Sequence, residues 1–455
     1  MAYALDTASR FASTLFNRMV VIVALVLSSN LSVECVQAAS VQRVVSPGGI
    51  EAWLVEEHAI PIVSLRFSFR GGAALDPEGK EGMARLVSGL LDEGAGGYDS
   101  QAFQSRLDDL AVRMGFSAGM DTFSGSMETL SENLPEAFEM LALAITAPRF
   151  EPSAVNRIRS QVLASLAQVS TDPDYIAARN WLEHLLPEHP YGRPTRGTPD
   201  SVQAVGIDDL RKFVSERFDK DNLVVGVVGD IDADQLEVLL DSTFGALPER
   251  ATPYNLEEAN PVDDGDKIIV EFKIPQSIVV FGHTGPKRNH PDFYAAYVMN
   301  HILGGGSFTS RLTQEVRKKR GLAYGIGTSW SPKDFGGFFR GRVATQNARV
   351  AETIEIILAE ISRMRAGGAN ESELADAKTF LTGSFPLRLD SNSKIASMLV
   401  AIQLDDLGID YLERRNDYID AVTLDDVRKA AAKFLKPDEL VFVVVGMPEG
   451  LTITE

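Results

Sequence analysis

The chain has 455 residues, of which 45% are hydrophobic and 24% charged, the balance of a soluble globular protein too long for one ordinary core. Its formal net charge is −19, and that excess of carboxylates repels a phosphate backbone and excludes a nucleic-acid binder. The charge would suit a basic partner, but the plainer reading is solubility.

At the N-terminus, Arg10 and Arg18 precede an apolar run, Met19 to Leu27, and Val36-Gln37-Ala38 offers a small-residue cleavage site before Ala39. Residues 1–39 read as a signal peptide, with an uncleaved anchor as the alternative, and the mature chain as periplasmic or otherwise exported. The run is too short to span a bilayer comfortably, and no later stretch is long enough. No membrane partner is expected after cleavage. Cys35 is the only cysteine. Cleavage after Ala38 removes it, leaving no disulfide and no cysteine nucleophile.

A strand over Ile62–Phe69 and a polar turn over Gly71–Lys80 lead into Gly82 to Ala95, GMARLVSGLLDEGA, which reads as a helix. Leu107 to Ile145 reads as helix, hairpin and helix, with helical spacing over Pro135 to Ala147. His184 and His189 are five apart, about 140° round a helix, and Pro187 breaks a helix between them. A ligand pair wants i, i+4 on one face, so no metal role is expected of this pair. His58, His283, His290 and His301 are scattered and read as surface or packing residues.

The strongest organisational signal is a repeat. Asp208 to Gly229 reads DDLRKFVSERFDKDNLVVGVVG and Asp425 to Gly446 reads DDVRKAAAKFLKPDELVFVVVG. About ten of roughly 22 positions are identical without a gap, which marks a duplicated unit. Each copy reads as a helix starting at the acidic pair, a turn, and a buried strand, Leu223–Val228 or Leu440–Val445. Ile278-Val279-Val280-Phe281 echoes the strand at Ile62, and Val316 to Ile361 repeats helix, hairpin and helix. The predicted class is α+β, with two homologous domains, each a mostly antiparallel sheet with helices packed on one face. The N-terminal domain is expected over 40–250 and the C-terminal one over 268–455. The Pro- and acid-rich segment 251–267 reads as their linker.

Two stretches carry a resemblance to pitrilysin/insulinase-type zinc peptidases over about residues 40 to 450. In that family the helix matching Gly82 to Ala95 carries an inverted H-x-x-E-H motif. Here Arg85 stands at the first His, Ser88 at the Glu and Gly89 at the second His. The third ligand, a Glu on a later helix, matches Ser165 in RSQVLASL. Catalytic zinc needs imidazole or carboxylate ligands and an open water position. Arginine stays protonated, serine is a poor ligand and glycine has no side chain. No cofactor is therefore expected on this chain, and zinc is expected in a partner.

In the second half, Ser310-Arg311-Leu312 through Arg317 leads to Gly321-Leu322-Ala323-Tyr324. This resembles the family's S-R-L-x-x-x-[LV]-R…G-L-[AS]-Y segment, whose Arg and Tyr reach toward the zinc site of an N-terminal half and hold substrate. Arg317 and Tyr324 match those positions. The competing reading leaves Arg317 on a helix surface and buries the Tyr324 ring in the core, and Arg311 and Arg320 are rival bases. The resemblance implies a non-catalytic subunit, inactive alone, that pairs with a zinc-bearing homologue and takes peptide substrates. The alternative is a peptide-binding or assembly protein of the same fold with no role in proteolysis.

Overall fold

The structure is a computed structural model and describes residues 40–451. The signal-peptide reading falls on residues outside these. The first half runs β1 (Gln42–Val45), β2 (Glu51–Glu56), β3 (Ile62–Arg70), α1 (Met83–Ser88), α2 (Ser100–Asp109), β4 (Arg113–Ala118), β5 (Thr122–Leu130), α3 (Leu134–Thr146), α4 (Pro152–Val169), α5 (Pro173–Leu185), α6 (Pro199–Ala204), α7 (Ile207–Arg217), β6 (Leu223–Gly229) and α8 (Ala233–Phe244). The second runs β7 (Lys267–Glu271), β8 (Gln276–Thr284), α9 (Phe293–Asn300), π-helical turns at His301–Gly305 and Thr313–Lys318, β9 (Ala323–Lys333), β10 (Gly336–Gln346), α10 (Val350–Arg365), α11 (Glu371–Gly383), α12 (Asn392–Leu404), α13 (Tyr411–Asp420), α14 (Leu424–Phe434) and β11 (Val441–Gly446). Among the described residues no helix is long and apolar enough to cross a membrane.

The duplication is visible in the topology. The first sheet has the order β1-β2-β6-β3-β5-β4 and the second β7-β11-β8-β10-β9. In each, one parallel pair (β2 with β6, β7 with β11) adjoins a run of antiparallel neighbours. The repeated segments become α7–β6 and α14–β11. Their helices begin alike: the Gly206 N–H donates to Asp209 at 2.8 Å and the Thr423 N–H donates to Asp426 at 2.9 Å. The second acid of each pair thus closes the first turn of its helix. Each half is α+β, as its pattern predicts. However, strands precede the expected first one in each sheet, β1 and β2 ahead of β3 and β7 ahead of β8.

Each sheet packs its own half's helices on one face, and Val63, Leu65, Phe67 and Phe69 of β3 point into that core. The other face of each sheet is covered by a helix from the opposite half. Helix α5, from the first half, lays Ala177, Trp181 and Leu185 on Val441, Val443 and Val445 of β11. Helix α12, from the second half, lays Ala396 and Leu399 on Trp53, Val55 and Val228 of β2 and β6. This exchange explains why β6 and β11 read as unbroken apolar runs, since both of their faces are buried. Two glycines permit the close crossings. A Cβ on Gly226 would stand 2.7 Å from the Ala396 carbonyl oxygen, and one on Gly282 would stand 2.7 Å from Trp181. Residues 251–266 form no helix or strand but are tied to the body. The Ala259 N–H donates to the Phe335 carbonyl at 2.7 Å and the Val262 N–H to the Leu185 carbonyl at 2.8 Å.

Candidate functional site

Helix α1 is shorter than its sequence implies, ending at Ser88 rather than running on to Ala95. It opens at Gly82, whose φ of +91° favours glycine. Asp76 secures that end: its carboxyl accepts the N–H of Gly82 at 2.9 Å and of Ala84 at 3.1 Å. Burial pushes Asp76 up to about 7, against the pull of those backbone donors and of Arg217.

Arg85 and Ser88 lie on α1 and Gly89 caps its end, and α1 packs against α4, the helix of Ser165. The Ser88 hydroxyl donates to the Arg85 carbonyl at 2.9 Å, so it is turned back onto its own helix. A Cβ on Gly89 would stand 3.1 Å from Ile158 of α4, about two turns before Ser165. There is thus little room between α1 and α4 for a side chain at that position. Arg85 is half-buried. Burial first, and then the positive Arg196 beside it, push its guanidinium below its ordinary value. A positive charge therefore stands at the position of the first ligand. The residues present do not fit zinc: they supply neither imidazole nor carboxylate, and their charge has the wrong sign.

The second-half pair is arranged differently. Arg317 lies on the π-helical turn Thr313–Lys318 and Tyr324 at the start of β9. The structure brings them together, with the Arg317 guanidinium 5.4 Å from the centre of the Tyr324 ring. The Phe308 ring is also close, its centre 4.7 Å from the same guanidinium. Tyr324 is 90% exposed and Phe308 57%. The Tyr324 ring is therefore outside the core, and a cation within reach of two exposed rings lies at the surface. Phe308 was not among the residues singled out from sequence. Its only signal is its place just before the Ser310-Arg311-Leu312 run.

The rival bases are otherwise engaged. Arg311 makes a two-pronged pair with Glu373, both contacts at 2.6 Å. Glu315 takes Lys319 at 2.6 Å and Arg320 at 2.5 Å, and these two cations hold its carboxyl down at about 2. Among the described residues Arg317 makes no ion pair, so its donors are available to a ligand. Local π-helix geometry, which recurs at functional sites, sets the turn that presents it.

Both sheets end in a strand with a single neighbour, β4 on β5 and β9 on β10. Tyr324 begins the β9 edge. The histidine pair of the sequence does not converge. His184 lies against Asp264 at 3.0 Å, while His189 meets the Glu257 carbonyl at 3.0 Å and accepts the Tyr191 N–H at 3.1 Å.

Comparison with known proteins bears on the family and the fold. Residues 53–199 match the insulinase (peptidase family M16) model, and residues 204–381 match that of the peptidase M16 inactive domain. The "Non-peptidase homolog YmxG" of Helicobacter pylori is 28% identical over 345 residues, 76% of this chain and 79% of that protein. An "uncharacterized zinc protease" of Mycobacterium leprae is 26% identical over 404 residues, 88% of this chain and 90% of that one. The crystal structure of a peptidase M16 inactive domain from Pseudomonas fluorescens superposes with a TM-score of 0.85 at 28% identity, covering 91% of this chain and 100% of that chain. A protease structure from Helicobacter pylori shares the fold, with a TM-score of 0.82 at 19% identity. Matched in tandem by these two models and alike in fold along nearly its whole described length, the chain belongs to the M16 (insulinase) peptidase family.

Proposed function

We propose that the chain is the non-catalytic, substrate-binding subunit of an exported heterodimeric zinc metallopeptidase that degrades or processes peptides. The observation that carries this reading is the exposed Arg317–Tyr324 pair, in a chain whose α1 positions Arg85, Ser88 and Gly89 offer no zinc ligand for it to serve. Its likeness to the "Non-peptidase homolog" of Helicobacter pylori supports the same reading.

In this reading a homologous partner subunit supplies the zinc, the general base and the attacking water. This chain supplies groups that bind and orient. The Tyr324 hydroxyl donates to the scissile carbonyl as negative charge develops on its oxygen, a contact stronger in the transition state than in the ground state. The Arg317 guanidinium holds a peptide carbonyl or carboxylate, with its plane steadied by Phe308 and Tyr324. An extended peptide adds to a free sheet edge, so the backbone is read more than the sequence. The free β9 edge, which starts at Tyr324, suits that mode.

Co-purification of the native protein, with mass spectrometry of what accompanies it, tests the subunit assignment. The expected companion is a homologue with an intact H-x-x-E-H motif, in equal amount. Recovery of the native protein free of any such homologue contradicts the assignment.

A further inference from the structure

We propose that His184, Asp264 and Asp266 form a binding site for one divalent transition-metal ion of the zinc class, built on elements other than the degenerate helix α1. The His184 ring nitrogen and one oxygen from each aspartate all lie within 4.8 Å of one another. The His184 Nε2 is 3.0 Å from Asp264 Oδ2 and 3.9 Å from Asp266 Oδ2. Ligands on a tetrahedral ion with bonds of about 2.0–2.1 Å stand about 3.3 Å apart. The two histidine–carboxylate separations bracket that value, and no pair of the three atoms is more than 4.8 Å apart.

The backbone brings these donors together. His184 lies in the last turn of α5, the helix exchanged onto the second sheet. The two aspartates flank Gly265, whose φ is +77°. A Cβ there would stand 2.4 Å from the Asp438 carbonyl oxygen, so the turn requires glycine. The turn brings both flanking carboxylates to one imidazole. Backbone bonds fix it on either side: the Val262 N–H donates to the Leu185 carbonyl and the Phe442 N–H to the Asp266 carbonyl, each at 2.8 Å.

The donor set also selects among ions. One imidazole with two carboxylates suits zinc or manganese, while magnesium and calcium prefer oxygen alone. Two carboxylates balance a 2+ charge, and a fourth position remains for water. The three side chains are 27%, 34% and 37% exposed, so an ion can enter. Bound there, it fastens α5 to the segment joining the halves, on the seam where the helix exchange occurs. This inference does not depend on the subunit assignment.

Calorimetric titration of the purified full-length chain with Zn²⁺ alone tests the site. One ion per chain is expected, with a rise in Tm. His184→Ala and the near-isosteric Asp264→Asn should each weaken uptake by at least about tenfold. A large excess of Mg²⁺ should not displace the zinc. No saturable uptake, uptake undiminished in folded His184→Ala and Asp264→Asn variants, or loss of zinc to excess Mg²⁺ would each overturn the proposal.

Discussion

Tyr324→Phe is expected to lower the turnover of the proposed two-subunit enzyme about 10²-fold, the usual loss when one donor to a developing oxyanion is removed. The change deletes a single hydroxyl and keeps the ring. With 90% of Tyr324 exposed, no packing is lost and the isolated chain should keep its stability. The ring also keeps its contact with the Arg317 guanidinium at 5.4 Å, so the arginine stays in place. Steady-state kinetics with the partner present should show the loss in kcat more than in KM, because the hydrogen bond strengthens only as the carbonyl becomes tetrahedral. Subunit affinity should not change. Unaltered turnover removes Tyr324 from the chemistry, and a loss confined to subunit affinity makes it an interface residue only.

Trp181→Ala should cost about 3–5 kcal/mol of unfolding free energy in chemical denaturation, as expected for truncating a fully buried indole. Trp181 is 1% exposed and meets the Phe338 ring edge-on at 6.2 Å. By sequence it belongs to the first half, but the pocket it fills is made by β8, β10 and β11 of the second. Its loss therefore loosens the joint between the halves as well as emptying space. The single unfolding transition should broaden or split. Trp181→Phe should cost less, since the indole N–H finds no hydrogen-bond partner and its removal leaves nothing unsatisfied. An alanine variant that loses less than about 1 kcal/mol would show that α5 does not hold the halves together.

Much of the architecture was legible because the repeat is written twice. The acidic pairs at Asp208 and Asp425 and the valine-rich runs that follow mark the same helix–turn–strand unit, and both copies take the same place in their sheets. The helix exchange was not legible. Unbroken apolar runs at Leu223 and Leu440 reveal burial on both faces, but not which helix covers the second one. The apolar faces of α5 and α12 look like those of any core helix. The end of α1 was also hidden: Leu90 and Leu91 remain buried beyond it and keep a helix-like pattern after the helix has stopped.

The candidate sites divide in the same way. Arg317 and Tyr324 are seven residues apart, on a helical turn and the next strand, so a local motif could point to both. Phe308, the second ring near Arg317, lies before that motif and carried no pattern of its own. His184 and the Asp264–Asp266 turn are about 80 residues apart, and only the tertiary fold makes them neighbours. Along the chain His184 stands nearest His189 instead, and in the fold the two take different partners.

The central claim is that this chain binds and orients a peptide but cannot cut one. Hydrolysis of an unfolded peptide by the purified chain alone, with zinc supplied, tests it most directly. No cleavage above the enzyme-free rate is expected, with activity appearing only when a homologue bearing H-x-x-E-H is added. Zinc-dependent cleavage by the chain alone, abolished by a chelator, would contradict the account.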